Sequence, residues 1–365
     1  MFDWVPLPYY SAIYYQVLLI ITLIVFIHSQ SFDLTDGKSL NMLKTIGSFC
    51  FIFVLFYIGT RPVSGRYFGD MFIYNKWFLH SASGGAESLS GSHDVFFNQF
   101  INFSARIMGN RSFFFVCAAL YVIPAYLVSK KLFKKYWFYA FLMLVGSFSF
   151  FSYGTNGIRN GIATSFFLLG ISQNKNIFKA LWFLLAYGFH GSLIIPIIAY
   201  LATIFYNKTD TYFKVWLLCI VLSLALGSTF ETLFSQFISD DRATYLTDTT
   251  AFQDQFSKTG FRWDFLLYSA AGVFSGWYYI KKKKIDDKLY NQLFNIYLTC
   301  NGFWILVIRA SFSNRFAYLS WFLLAIIIIY PWLKFSFQKE QHKKIGYILL
   351  SYYGFTYFMN VVIYG

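Results

Sequence analysis

Apolar positions along this chain come in long blocks, separated by short polar and cationic clusters. Ile13–Ser29, Phe113–Ser129 and Trp321–Leu333 carry almost no ionised side chain. A helix needs about 20 predominantly apolar residues to cross a bilayer. The blocks predict spans near 9–29, 45–59, 113–129, 136–153, 157–172, 212–230, 263–280, 290–310, 316–336 and 345–363. The stretch 178–206 (FKALWFLLAYGFHGSLIIPIIAYLATIFY) is too long for one ordinary span and too short for two. FHGS sits near its middle, which predicts a re-entrant or short-helix hairpin with His190 near the turn. Non-helical backbone at such a depth is tolerated where it lines a cavity. The expected fold is an all-α polytopic integral membrane protein, with about ten transmembrane helices and this hairpin, in one transmembrane domain over 1–365.

Charge sets the sidedness. KKLFKK (130–135), KKKK (281–284) and KEQHKK (339–344) should face the cytoplasm, which requires 178–206 to enter and return. No lysine or arginine precedes Lys38, and Asp3 is the only charge ahead of the first apolar block. A secretory signal carries a positive n-region, so the first span is expected to be uncleaved with its N-terminus outside. In this topology all nine arginines (Arg61, Arg66, Arg106, Arg111, Arg159, Arg242, Arg262, Arg309 and Arg315) lie outside. Nineteen of the 21 lysines lie inside, Lys76 and Lys258 being the exceptions. A positive-inside bias treats both cations alike, so it does not sort them. Chance and snorkelling are the plain explanations. The functional one is that a planar guanidinium grips phosphate or carboxylate through two N–H bonds. Two long outer segments follow, 60–112 and 231–262, and connections of that length usually carry function or helices of their own. Residues 94–108 (DVFFNQFINFSARIM) read as an interfacial helix, and 81–92 (SASGGAESLSGS) as a flexible linker.

Composition narrows the picture. Only 13% of the 365 residues are charged, against about a quarter in soluble domains. A net charge of +14 would suit nucleic acid in a soluble protein. Here the cations punctuate apolar blocks, no stacking platform is present, and no nucleic-acid partner is expected. Cys50, Cys117, Cys219 and Cys300 each fall in a predicted span and show no metal-ligand spacing, so buried apolar packing is expected of them. HExxH, paired-cysteine, Walker and GxSxG motifs are absent. No metal and no cofactor are expected.

Four stretches could carry chemistry. GIRNGIA places Arg159 just inside a helix start, one turn from Asn156. Free N–H groups make that end electropositive, so an arginine there calls for a nearby anion, either a lipid headgroup or a substrate phosphate. His190 is the only histidine deep in an apolar block. It is either a structural core residue or a proton-transfer group at membrane depth. In GRYFGDMFIYNKWF (65–78), helical spacing would put Arg66, Asp70 and Tyr74 on one face, as a salt bridge or a sugar-stacking surface. IRASFSNRFAY places Arg309 and Arg315 on either side of an outer turn, and GFRWDF places Arg262 and Asp264 at a span start.

In this order the stretches resemble the EpsG/Wzy group of bacterial exopolysaccharide and O-antigen polymerases. The family pattern has an aspartate followed four residues later by tyrosine, then an interfacial segment and an "iRqgiA" span start. A hairpin with "fHxS" and a late "R…y" span follow. Here these are Asp70 and Tyr74, 94–108, GIRNGIATSFFLLGI, AYGFHGSLIIP with His190 and Ser192, and SNRFAYLSWFLLAIIIIYP with Arg315. Asn160 stands where the family usually has glutamine, a shorter amide.

The resemblance implies a metal-independent, GT-C-like glycosyltransferase of the bacterial inner membrane, its site facing the periplasm. Its substrate would be an oligosaccharide repeat unit on undecaprenyl pyrophosphate. A hydroxyl of one unit would attack the anomeric carbon of another glycan, and undecaprenyl pyrophosphate would leave. Arg159 and Arg315 would meet the pyrophosphate, with Arg66, Arg262 and Arg309 in support. His190 would be the base or a donor to the leaving oxygen, Asp70 the rival base. Tyr74 and Trp77 would shape the sugar groove, and Asn160 would contribute its amide. Membrane lipid, a chain-length regulator and a flippase are the implied partners. A lipid-linked oligosaccharide flippase, an O-antigen ligase-like transferase and a membrane acyltransferase are the alternatives. One-sided arginines and the lack of a long-period repeat disfavour the flippase.

Overall fold

The computed structural model describes residues 2–33, 36–85, 94–235, 260–310 and 313–363. Arg242, Lys258, linker residues 86–92 and most of the segment 231–262 lie outside them. The described residues form helices and no strand, as the apolar blocks predict. The helices are α1 (Tyr10–Ser31), α2 (Gly37–Gly59), α3 (Met71–Ala82), α4 (Val95–Ile107), α5 (Asn110–Phe133), α6 (Trp137–Val145), α7 (Ile158–Ile171), α8 (Asn176–Phe189), α9 (Ile194–Phe205), α10 (Thr209–Ser235), α11 (Trp263–Trp277), α12 (Lys288–Leu306), α13 (Ser313–Lys334) and α14 (Gln341–Tyr357). Short helical pieces stand at Gly65–Phe68 and Phe150–Thr155.

Five helical runs are long and apolar enough to cross a membrane: Leu7–Ser31, Gly37–Gly59, Asn110–Val145, Thr209–Gly227 and Ser313–Lys334. Ile158–Ile171 and Asn176–Phe189 are shorter apolar helices, as is Gly191–Phe205. The outward residues of α1, among them Ile20, Ile24 and Ile27, are as apolar as its packed stripe of Tyr14, Leu18, Ile21 and Val25. Leu217, Leu218 and Val221 do the same on α10. Apolar residues on both faces suit a helix between protein and lipid.

The single span expected over 136–153 is divided. Helix α6 ends at Val145, and a turn at Gly146–Ser149 leads into Phe150–Thr155. Tyrosine hydroxyls from neighbouring helices meet carbonyls beside this break: Tyr14 donates to Val145 O at 2.8 Å and Tyr121 to Phe150 O at 3.2 Å. An interrupted helix at depth needs such replacement donors. The chain breaks where FHGS predicts, with α8 ending at Phe189 and a 3-10 turn over Gly191–Leu193. The long segment 60–112 does carry its own helices, and α4 is two-faced, burying Phe97, Ile101 and Ser104 while exposing Val95, Phe103 and Ile107.

Two compact units result. The first holds α1 to α8 and α14, the second α9 to α13. In the first, α7 packs on α5 and α8, with Ser165 Oγ donating to Tyr121 O at 2.8 Å. Tyr10 and Tyr57 each donate to the other's carbonyl, at 2.7 and 2.8 Å, with rings stacked. In the second, α12 is the axis against which α9, α10 and α11 pack. Buried polar links hold it: Asn301 accepts from Trp216 Nε1 at 2.8 Å and donates to Ser320 Oγ at 3.0 Å. Helix α13 is apolar all round and almost wholly buried, as such a helix must be in a bundle interior. All four cysteines are free and buried, matching their expected packing role.

Candidate functional site

Arg159 is the second residue of α7, where helix N–H groups would repel it. The anion that offsets this is Asp94, the residue immediately before α4. Arg159 NH1 donates to Asp94 Oδ2 at 2.5 Å. The carboxylate is fully buried and the arginine side chain 19% exposed, so the pair sits at the edge of the packed interior. Asp94 stands at an N-cap position, yet its side chain makes no capping bond to α4. Its other oxygen, Oδ1, accepts from Gly191 N at 2.8 Å. One carboxylate therefore ties the start of α7 to the turn that follows His190.

Tyr74 and Trp77 complete the surround. Arg159 Nε donates to the Tyr74 hydroxyl at 3.3 Å. The guanidinium carbon lies 5.6 Å from the centre of each ring, within cation–π range. The two rings meet edge-on at 5.4 Å. Nε and NH1 of the guanidinium are thus both committed to protein. Its NH2 group has no hydrogen-bond partner among the described residues. His190 closes α8 through its backbone, donating to Ala186 O at 3.1 Å, and is half-buried.

Asp70 joins the same corner by its backbone, since Asp70 N donates to Asn156 Oδ1 at 2.7 Å. The expectation that Arg66, Asp70 and Tyr74 share one helix face is corrected here. The chain breaks at Gly69, with φ +49°, so Gly65–Phe68 and α3 are separate helices. A Cβ at Gly69 would lie 2.6 Å from Asn156 Oδ1, so the close approach and the backbone conformation both call for glycine. Arg66 is exposed, its guanidinium 5.5 Å from the centre of the Tyr67 ring. Asn160, one residue beyond Arg159, is buried, and its Oδ1 has no partner among the described residues.

The remaining predicted arginines belong to the second unit. Arg262 forms a two-point pair with Asp264, Nε to Oδ1 at 2.9 Å and NH2 to Oδ2 at 2.7 Å, over the Phe265 ring. Arg309 donates through NH1 to Ser223 O, three residues before a kink in α10 at Leu226, and covers the Phe261 ring at 5.2 Å. Arg315 lies half-buried in the first turn of α13. Among the described residues no group of three or more His, Cys, Asp or Glu could hold a metal.

Sequence reasoning missed Asp94. The usable signal was the requirement for an anion at Arg159, since the segment 60–112 offers only Asp70, Glu87 and Asp94. No curated protein and no solved structure matches the chain. The EpsG family model matches residues 44–365, a range that includes every one of the predicted site residues. This multi-pass, all-helical chain belongs to the EpsG family, a glycosyltransferase-like family of exopolysaccharide and O-antigen polymerase-type membrane proteins.

Proposed function

We propose that the protein joins oligosaccharide repeat units carried on undecaprenyl diphosphate, at the periplasmic face of a bacterial inner membrane. A hydroxyl oxygen of the acceptor unit bonds to the anomeric carbon of the donor glycan. The bond from that carbon to the diphosphate oxygen breaks, and undecaprenyl diphosphate leaves. His190 receives the hydroxyl proton, with Asp70 the rival for that role. Arg159 and Arg315 meet the diphosphate, Arg66, Arg262 and Arg309 support them, and Tyr74 and Trp77 stack on sugar. Asn160 serves the same site through its amide. A chain-length regulator and a flippase work beside it, and the lipid surface takes α4.

The observation that carries this reading is the geometry of Arg159: NH1 fixed by Asp94, Nε by Tyr74, and the NH2 group unengaged among the described residues. A donor fixed before the reaction stabilises charge developing on a leaving group without reorganising, and removing one such donor costs about 10²–10³-fold in rate. Because Asp94 balances the charge of Arg159, this arginine contributes directed N–H bonds more than net charge.

Complementation of a strain lacking its repeat-unit polymerase tests the proposal. The wild-type chain should restore long polymer. Arg159→Ala, His190→Ala and Arg315→Ala should each leave single repeat units, with the protein still inserted. Normal polymer from all three would remove the site assignment. No polymer from an inserted wild-type chain in its own pathway would remove the polymerase reading.

A further inference from the structure

Arg61 is among the most buried cations of the chain, 3% exposed, and has no acidic partner among the described residues. Such a charge is expensive unless its donors are met. Two of its three nitrogens are met by backbone carbonyls, while Nε has no partner among the described residues. NH1 donates to Ile58 O at 2.5 Å and NH2 to Thr155 O at 3.1 Å. Ile58 is in the last turn of α2, and Thr155 is the final residue of the piece Phe150–Thr155. Both carbonyls belong to the orphan set at helix carboxyl ends, where partial negative charge accumulates. The rings of Phe68 and Phe114 lie 5.9 and 5.6 Å from the guanidinium carbon. Burial pushes the Arg61 pKa down to about 10, which still leaves it cationic at neutral pH.

The location gives this contact its meaning. Thr155 is followed by Asn156 and Gly157, and α7 then begins at Ile158 with Arg159 next. Asn156 Oδ1 accepts from the Asp70 backbone, and α3 with Tyr74 follows Asp70. The turn 155–157 is thus the joint from which both halves of the Arg159 corner extend. Arg61 fixes one side of that joint to the end of α2.

We propose that Arg61 is a positioning residue: its planar fork spans two helix ends and so sets the direction in which Arg159 and the Asp70–Tyr74 segment approach the substrate. Lysine carries the same charge on a single nitrogen and lacks the two separated donor groups that reach both carbonyls.

The test compares Arg61→Lys and Arg61→Gln with wild type, as full chains in lipid nanodiscs and in the polymerase-null strain. Amide exchange over 155–161 and 66–74 should accelerate about tenfold or more, with exchange in α12 and α13 unchanged. Polymer yield at equal protein level should fall with both substitutions, Arg61→Lys retaining more than Arg61→Gln. Unchanged exchange over 155–161 in both variants would overturn the proposal. So would full polymer yield despite faster exchange, and so would failure of both variants to insert, which would assign Arg61 to the fold alone. The activity arm rests on the polymerase reading and the exchange arm does not, so a failure of that reading shows in the wild-type control.

Discussion

Arg159 and Arg309 are answered in opposite ways. In the first unit, Arg159 meets a buried carboxylate, so its charge is balanced while its NH2 group stays unengaged. In the second unit, Arg309 meets the Ser223 carbonyl beside the α10 kink and has no acidic partner among the described residues. Its charge is uncompensated, while one of its donors is committed to backbone. Guanidinium groups at helix ends are therefore not equivalent sources of positive field. Arg309 offers charge, and Arg159 offers direction. Arg262, paired with Asp264, resembles Arg159 in this respect.

The comparison breaks hardest at Asp94. Removing one member of a buried ion pair costs about 3–5 kcal/mol, because the remaining charge is stranded. Asp94→Ala and Arg159→Ala, which each strand one member of the pair, should lower the melting temperature of the purified protein, or its inserted amount, more than any other single change here. Asp94→Asn, which keeps an acceptor for Gly191 N, should fall between Asp94→Ala and wild type. The double variant Asp94→Ala/Arg159→Ala strands no charge, so it should regain much of the lost stability and none of the polymer. Recovery of polymer in that double variant would mean that Arg159 exists only to neutralise Asp94, and its substrate role would be lost.

Much of this was open to a reader of the sequence, for identifiable reasons. Length and apolarity locate helices wherever the surrounding solvent is lipid. FHGS announced the break at His190, and GIRNGIA placed Arg159 at a helix start. What stayed hidden depended on contacts distant in sequence. Asp94 lies 65 positions from Arg159 and sits where an aspartate ordinarily caps its own helix, a role its side chain does not fill. Arg66 was grouped with Asp70 because helical spacing was carried through Gly69, the residue whose positive φ ends that helix. The division of 136–153 depends on tyrosines reaching in from α1 and α5, which no window of local sequence contains.

A smaller effect is expected at Gly227. A Cβ there would lie 1.9 Å from Arg309 NH1. The guanidinium is the movable party, so Gly227→Ala should displace it and leave the Ser223 carbonyl unmet, costing about 1–3 kcal/mol. A gain of about 0.5–1 kcal/mol from replacing glycine within a helix offsets part of that. Thermal unfolding of Gly227→Ala, Arg309→Ala and the double variant separates these terms. Once Gly227→Ala has evicted the guanidinium, adding Arg309→Ala should cost almost nothing further. Full additivity of the two losses would show that Arg309 holds the kink by some other contact.

The smallest effect sharpens the Arg159 side. Its bond from Nε to the Tyr74 hydroxyl is long at 3.3 Å, while the Tyr74 and Trp77 rings lie within cation–π distance of the same guanidinium. Tyr74→Phe deletes the hydroxyl and keeps the ring. The expected loss is about 0.5–1.5 kcal/mol, the net worth of one hydrogen bond, and polymer length should change little because Asp94 still fixes NH1. Tyr74→Leu removes ring and hydroxyl together and should cost more in both stability and polymer, since the guanidinium then loses an aromatic wall as well as an acceptor. If Tyr74→Phe matched Tyr74→Leu in polymer yield, the hydroxyl would be the group that orients Arg159, and the carboxylate of Asp94 would supply charge balance without direction.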